Sequence, residues 1–116
     1  MTELRDPAAI EGWHVHVYYD PATRPTAEAV RRALENAFPT ARFGRFHDVP
    51  VGPHPIAMYQ VAFAPDLFPV LVPWLALNRS GLAVLVHPET GDAVADHTDH
   101  ALWLGRMLEL SLDALR

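Results

Sequence analysis

Trp13-His14-Val15-His16-Val17-Tyr18-Tyr19 is the clearest structural signal in the chain. Valine alternates with polar residues along it, and this period of two is typical of a β-strand whose two faces differ. One face carries Val15 and Val17 and can pack on helices. The opposite face carries His14, His16 and Tyr18, and two imidazoles there can converge on one metal ion. A solvated face or a dimer contact is the ordinary alternative for these histidines, so the strand alone leaves both interpretations open.

The length of 116 residues fits one domain, which we predict to span residues 1–116 with a core at about 12–115. Half of the residues are apolar, yet no uninterrupted apolar run reaches the roughly 18 residues that a membrane span needs. Glu3 and Asp6 near the start, with no apolar stretch beside them, do not fit a secretory signal peptide. We therefore expect a soluble, cytoplasmic protein that does not bind membranes.

Charge and cysteine content narrow the partners and the metal ligands. The net charge is −5 and basic residues do not cluster, which argues against a nucleic-acid partner. The sequence has no cysteine, so a metal ion would be held by histidine, aspartate or glutamate. Seven histidines are present, and they lie outside the apolar stripes of the predicted helices and strands.

The order of predicted elements points to one fold. The expected strands lie at 13–19, 41–47, 56–63 and 82–87, and the expected helices at about 26–38, 65–79 and 98–115. Apart from the last helix, this is the βαββαβ order of a ferredoxin-like α+β sandwich. We therefore predict that fold with an additional C-terminal helix. Because this final helix is mostly apolar, we expect it to cover a sheet face or a partner subunit.

The usual strand order of this fold, 4-1-3-2, brings a third histidine to the first strand. His87 lies at the end of the fourth strand, next to the start of the first strand. Val84 and Val86 point to the face of the sheet that the helices cover. His87 therefore shares the open face with His14 and His16 on the neighbouring strand. We predict these three histidines as metal ligands.

Three other histidines are weaker candidates. His97 and His100 are three residues apart and would share one face at the start of the predicted last helix. His54 lies between two prolines, which make the backbone stiff and extended. Each has an ordinary alternative, because polar residues are common at helix starts and in turns. The topology also places the His54 loop near the Tyr19 end of the central strand.

Several segments together resemble the DOPA 4,5-dioxygenase family. They are Gly12-Trp-His-Val-His-Val-Tyr-Tyr-Asp20, Val51-Gly-Pro-His-Pro55, Met58-Tyr-Gln-Val-Ala-Phe63, His87-Pro-Glu-Thr-Gly91, Asp96-His-Thr98 and Trp103-Leu-Gly105. The resemblance runs from Gly12 to Gly105 with the motifs in the family's order. It implies an enzyme that opens the ring of a catechol beside its two hydroxyls, using ferrous iron and O2. The implied partners are a small aromatic diol and O2.

The resemblance also suggests roles for individual residues. His54 and His97 are the candidates for moving the catechol protons as acid and base, or for replacing a ligand. Tyr18 and Trp13 are candidates for lining the aromatic pocket. Arg45 is our candidate for a substrate carboxylate, and the sequence does not separate it from Arg42 or Arg79.

Ferrous sites of this kind commonly use two histidines and a carboxylate. Glu89, Asp92 and Asp96 follow the fourth strand and could supply the carboxylate, whereas a three-histidine site would suit zinc or nickel equally well, at least as purified. A non-catalytic module that binds a metal or small ligand on the same scaffold is the alternative function. We expect a homodimer, because the sheet face is rich in histidine and the final segment is apolar.

Overall fold

The computed structural model describes residues 3–116. Its elements in chain order are β1 (Gly12–Tyr19), α1 (Arg24–Ala37), β2 (Arg42–Phe43), β3 (Ala57–Phe63), α2 (Phe68–Asn78), β4 (Val84–Glu89), α3 (Ala93–Asp96) and β5 (Leu102–Leu104). Single 3₁₀ turns occur at Pro7–Ala9, Pro65–Leu67 and Leu112–Leu115. Across residues 3–116, every helix is too short or too polar to cross a bilayer.

The strands form one antiparallel sheet in the order β2-β3-β1-β4-β5. This is the predicted 4-1-3-2 order with one strand added at the β4 edge, and the α+β fold class is confirmed. Strand β1 is central, and its His14 lies directly opposite His87 of β4. The register therefore brings together histidines that are 73 positions apart in the chain.

The main core lies between the helices and one face of the sheet. Helix α1 buries Ala27, Val30 and Leu34, which follow the spacing of three to four residues that places side chains on one side of a helix. They pack against Val15 and Val17, which are fully buried. The faces predicted for β1 are therefore correct, and the opposite face is left for the histidines.

The prediction of a helix at 98–115 is wrong. Residues 102–104 instead form β5, which pairs with β4 and satisfies backbone groups that an edge strand would expose. Gly105 follows with φ 78°, a left-handed conformation that ends the strand and favours glycine. The C-terminal helix is only the 3₁₀ turn Leu112–Leu115. The apolar composition of this segment did not distinguish a helix from an extended chain lying on a sheet.

The same segment covers part of the open sheet face, as its composition predicted. Trp103, Leu108 and Leu110 pack on a small second core formed by Tyr18, Met58 and Leu85 of the sheet and by Ala83, which directly precedes β4. Strand β2 is likewise shorter than the predicted 41–47, although His47 still makes an isolated bridge to β3. The open face is thus divided into an apolar half and a histidine-rich half.

Candidate metal centre

Five imidazoles surround one cavity in the histidine-rich half of the open face. The cavity has a volume of about 340 Å³. The histidines that line it are His14, His16, His54, His87 and His97. His16, His54 and His87 are buried, whereas His14 and His97 are half-buried. A small ligand can therefore reach rings that are mostly shielded from water.

The strands position three of these rings. His14 and His16 are two residues apart on β1 and so point to the same face, and His87 reaches them from β4. Ring nitrogens of these three residues all lie within 4.8 Å of one another. The Nε2 atoms of His16 and His87 are 3.1 Å apart. The structure thus brings together the three histidines predicted as metal ligands.

His54 is held by a tight turn beside β1. Its backbone N–H donates to the carbonyl of Val51, and Gly52 adopts φ 55° within that turn. The Ser111 N–H donates to the carbonyl of Pro53 and ties the turn to the C-terminal segment. The loop begins near the Tyr19 end of β1 as predicted, but the His54 ring reaches back to lie 4.2 Å from the His16 ring.

His97 follows the four-residue helix α3, which the side chain of Asp92 caps. Its Nδ1 donates to the Ala93 carbonyl at 2.7 Å, and its ring centre lies 4.0 Å from that of His87. His97 forms a second group with His16 and His54 whose ring nitrogens also lie within 4.8 Å of one another. His16 therefore belongs to both groups that have ligand spacing in the described part of the chain.

Four of the five rings have Nδ1 against a group that can only accept a hydrogen bond. His87 Nδ1 donates to the Pro88 carbonyl at 3.0 Å, as His97 does to Ala93, and His16 Nδ1 faces the Met58 sulfur at 3.4 Å. His14 Nδ1 lies 3.0 Å from the Glu89 carboxylate. A carbonyl or carboxylate partner places the proton on Nδ1 and leaves the Nε2 lone pair free, as in His14, His87 and His97. His16 differs, because its Nε2 also lies at hydrogen-bonding distance from His87 Nε2. Free Nε2 lone pairs are what a metal ion requires.

Burial favours the neutral form of four of the cavity histidines, His14, His16, His54 and His87. It lowers the pKa of His54 and of His87 to about 4, and it lowers the pKa of His16 well below its ordinary value of 6.5. Neighbouring imidazoles lower all three further. Burial also lowers the pKa of His14, against the opposing charge of Glu89. Neutral imidazoles bind metal ions without first losing a proton.

The nearby carboxylates contact other side chains instead of completing a ligand group. Glu89 lies 3.5 Å from His87 Nδ1 as well as 3.0 Å from His14 Nδ1, so it faces the nitrogens that point away from a shared ion. Buried Asp96 accepts hydrogen bonds from Thr90 and from His100. Both groups with ligand spacing among residues 3–116 consist of histidine alone.

Of the residues predicted to contact the substrate, Tyr18 lies beside the cavity and Trp13 does not. Tyr18 donates or accepts a 2.7 Å hydrogen bond with His54 and stacks on Trp103. Trp13 does not line the cavity, because it lies on the helix face, 4.4 Å from the Phe68 ring. Trp13 lies two residues before Val15 on β1, so its side chain points to the same buried face. The alternation of the sequence could therefore have excluded Trp13 from the pocket.

Arg45 is exposed and does not line the cavity either. Arg42, paired with Ala62 on β3, is the arginine whose charge contributes to the lowered pKa of His14, after burial. His100 does not share a face with His97, because it turns toward Asp96 instead. The expectation for this histidine pair failed together with the predicted helix.

Sequence reasoning missed two residues behind the rings. Met58 was assigned to the open face but was given no role, and Glu89 was considered only as a ligand. Glu89 lies two residues after His87 on the same strand, so the two side chains point to the same face of the sheet. This spacing was the sequence signal that could have placed a carboxylate behind His14.

The chain is similar to known proteins over nearly its whole length. The model of the Dopa 4,5-dioxygenase family matches residues 13–114. The chain belongs to this family. The resemblance inferred from the sequence motifs is thereby confirmed, and dioxygenase is the activity that membership suggests.

Relatives extend the comparison. A crystal structure from Nostoc punctiforme, described as a "putative dioxygenase", is 53% identical, has a TM-score of 0.95 and matches over 97% of both chains. An uncharacterized 21.2 kDa protein of Botryotinia fuckeliana is 36% identical over the whole of this chain and 69% of its own length. A DOPA 4,5-dioxygenase of Amanita muscaria is 31% identical over 89% of this chain. The match spans about half (49%) of the Amanita protein.

Proposed function

We propose that the protein is an extradiol dioxygenase that opens the ring of a catechol, DOPA-like or related, with a non-haem ferrous ion and O2. The observation that carries the proposal is the convergence of neutral imidazoles on one cavity, with ring nitrogens of His14, His16 and His87 within 4.8 Å of one another. Family membership and the Amanita relative support the reaction class. Cytoplasmic location and a homodimer are part of the same proposal.

The residues fit a divalent transition metal. His16 Nε2 and His87 Nε2 face each other at 3.1 Å, and His87 carries its own proton on Nδ1. A cation bound between the two rings would take the place of this contact and be shared by both nitrogens. His14, His16 and His87 would hold the ion. When bound, ferrous iron supplies the open positions and the redox chemistry that a catechol and O2 need.

The protein's own groups would handle protons and orientation. A catechol has two hydroxyl protons, and ring cleavage requires a base to accept a proton and an acid to return one. His54 and His97 line the cavity and face the His16 and His87 rings, so they are placed for this work. Gln60 also lines the cavity and offers an amide to a substrate oxygen.

Aromatic and apolar groups beside the cavity suit an aromatic substrate. His97 is shared between the histidine cavity and an adjoining cavity of about 480 Å³, whose apolar wall includes Trp103 and Leu108. We propose that the diol faces the histidines while the rest of the substrate extends along this wall. Arg42 replaces Arg45 as the arginine proposed for an acidic substituent, because it lies on the edge strand beside the cavity.

The proposal is tested by loading the metal-free protein with ferrous iron under argon, then adding DOPA, caffeate or protocatechuate in air. We expect O2 uptake and a yellow ring-opened product. Both should be lost in His16→Ala and His87→Ala and kept in His47→Ala, a control outside the two histidine groups. Iron binding without O2 uptake or catechol loss across the panel would contradict the proposal and favour a non-catalytic metal-binding module.

A further inference from the structure

The Tyr18–His54 hydrogen bond differs from every other contact in the histidine cluster. The remaining four cavity histidines place Nδ1 against a carbonyl, a carboxylate or a thioether, which accept only. His54 Nδ1 instead lies 2.7 Å from the Tyr18 hydroxyl, a group that donates or accepts. The direction of this one bond therefore sets which nitrogen of His54 carries its proton.

Burial decides the direction. Tyr18 is 1% exposed, so its hydroxyl proton needs a protein acceptor. In the described part of the chain, the only group within hydrogen-bonding distance of this hydroxyl is His54 Nδ1. The phenol therefore donates to Nδ1, and neutral His54 carries its own proton on Nε2. The tautomer of His54 is the opposite of that of His14, His87 and His97.

We propose that Tyr18 is a positioning residue that makes His54 the N–H donor of the cavity and keeps it out of the metal's ligand set. A protonated Nε2 cannot bind a metal ion, but it can donate a hydrogen bond to a substrate oxygen. The group formed by His16, His54 and His97 thereby loses one ligand. The ion would bind at His14, His16 and His87, and this assignment rests on the proposed function.

Neighbouring contacts hold the pair in place. Trp103 stacks on the Tyr18 ring at 5.9 Å between centres, and the two rings are tilted by only 20°. On the other side, the turn at residues 51–54 fixes the backbone of His54 and is tied to Ser111. Both rings are therefore held within hydrogen-bonding distance of each other.

The tautomers can be read directly from long-range nitrogen–proton NMR spectra of the metal-free, histidine-labelled protein at neutral pH. We expect a proton on Nε2 in His54 and on Nδ1 in His14, His87 and His97. A wild-type His54 with its proton on Nδ1 would overturn the proposal, and this measurement needs no variant. It also does not depend on turnover.

The variant Tyr18→Phe removes the donor. We expect the His54 pattern to change to the Nδ1–H form or to a mixture of both, while the other four rings keep theirs. Tyr19→Phe is the matched control, because the Tyr19 hydroxyl donates to Asp48 on the far side of β1. An unchanged His54 pattern in folded Tyr18→Phe would refute the assignment.

Kinetics provide a second readout. With iron and a catechol that the wild type consumes, Tyr18→Phe should lower kcat about 10- to 100-fold with little change in KM. A positioned acid or base accelerates a reaction roughly 10²–10⁴-fold, and a misplaced proton on His54 should remove part of that acceleration. An unchanged kcat would contradict the proposal. If the tautomers are as expected but no catechol is consumed, the dioxygenase proposal fails and the positioning role of Tyr18 stands.

Discussion

His16 and His87 face each other across two neighbouring strands, with their Nε2 atoms 3.1 Å apart and their rings nearly parallel. The Pro88 carbonyl holds the His87 proton on Nδ1, so the His87 Nε2 lone pair is directed at His16. The two nitrogens are thus placed so that one cation can replace the contact between them. This relationship underlies the first prediction.

Zinc, used as a redox-inert probe, should bind the metal-free protein at one site. His16→Ala and His87→Ala should each weaken binding by more than about 100-fold, because losing a ligand costs more than losing a group behind one. Calorimetric titration of each variant measures this. His97→Ala should keep most of the affinity, and equal losses in His97→Ala and His87→Ala would contradict the assigned ligand set.

Glu89→Gln should weaken zinc binding about 10- to 100-fold, the usual effect of removing a carboxylate behind ligating histidines. The charge lies next to Nδ1 of both His14 and His87, and its loss makes these rings weaker ligands. The same titration provides the measurement, with Glu3→Gln as the exposed control. Unchanged affinity in Glu89→Gln would show that the carboxylate does not act on the rings.

The metal-free protein should lose stability as the pH falls from about 6.5 to about 4. In this range the unfolded chain binds protons at His54 and His87, whereas the folded rings, with pKa values of about 4, do not. Each ring should then cost on the order of 3 kcal/mol by pH 4. Urea unfolding at several pH values measures the slope, which should flatten in His87→Gln. A stability independent of pH in this window would contradict the assigned shifts.

Helix α2 offers a matched pair of core and surface leucines. Leu75 is fully buried and Leu77 is 86% exposed. Leu75→Ala should lower the free energy of unfolding by about 2–5 kcal/mol, and Leu77→Ala should change it by less than about 0.5 kcal/mol. Chemical denaturation of both variants checks the orientation of the helix, and similar losses in the two would contradict it.

Alternation and strand order were sufficient to predict the core of the site. Val15 and Val17 fixed the buried face of β1, and the strand order then placed His87 beside His14 and His16 on the open face. These features depend on local periodicity and on a common topology. For the same reason Trp13 could have been excluded, since its parity follows the valines.

The remaining parts of the site depend on contacts that local patterns do not encode. The apolar run after Thr98 suits a helix as well as an extended chain, and only the free edge of β4 favours β5. His54 reaches the cluster because its turn is tied to Ser111, which lies 57 positions away in the chain. Such long-range tertiary contacts override local propensity.

The hydrogen bond between Ser111 and Pro53 has a consequence for how the protein matures. A ribosome must release residues 103–111 before Trp103 can stack on Tyr18 and before the His54 turn is tied down. The three strand histidines depend only on the pairing of β1 with β4, both of which precede this segment. The Tyr18 ring and the His54 turn are therefore fixed only once residues 103–111 have docked, so this segment completes the cavity that the strands begin.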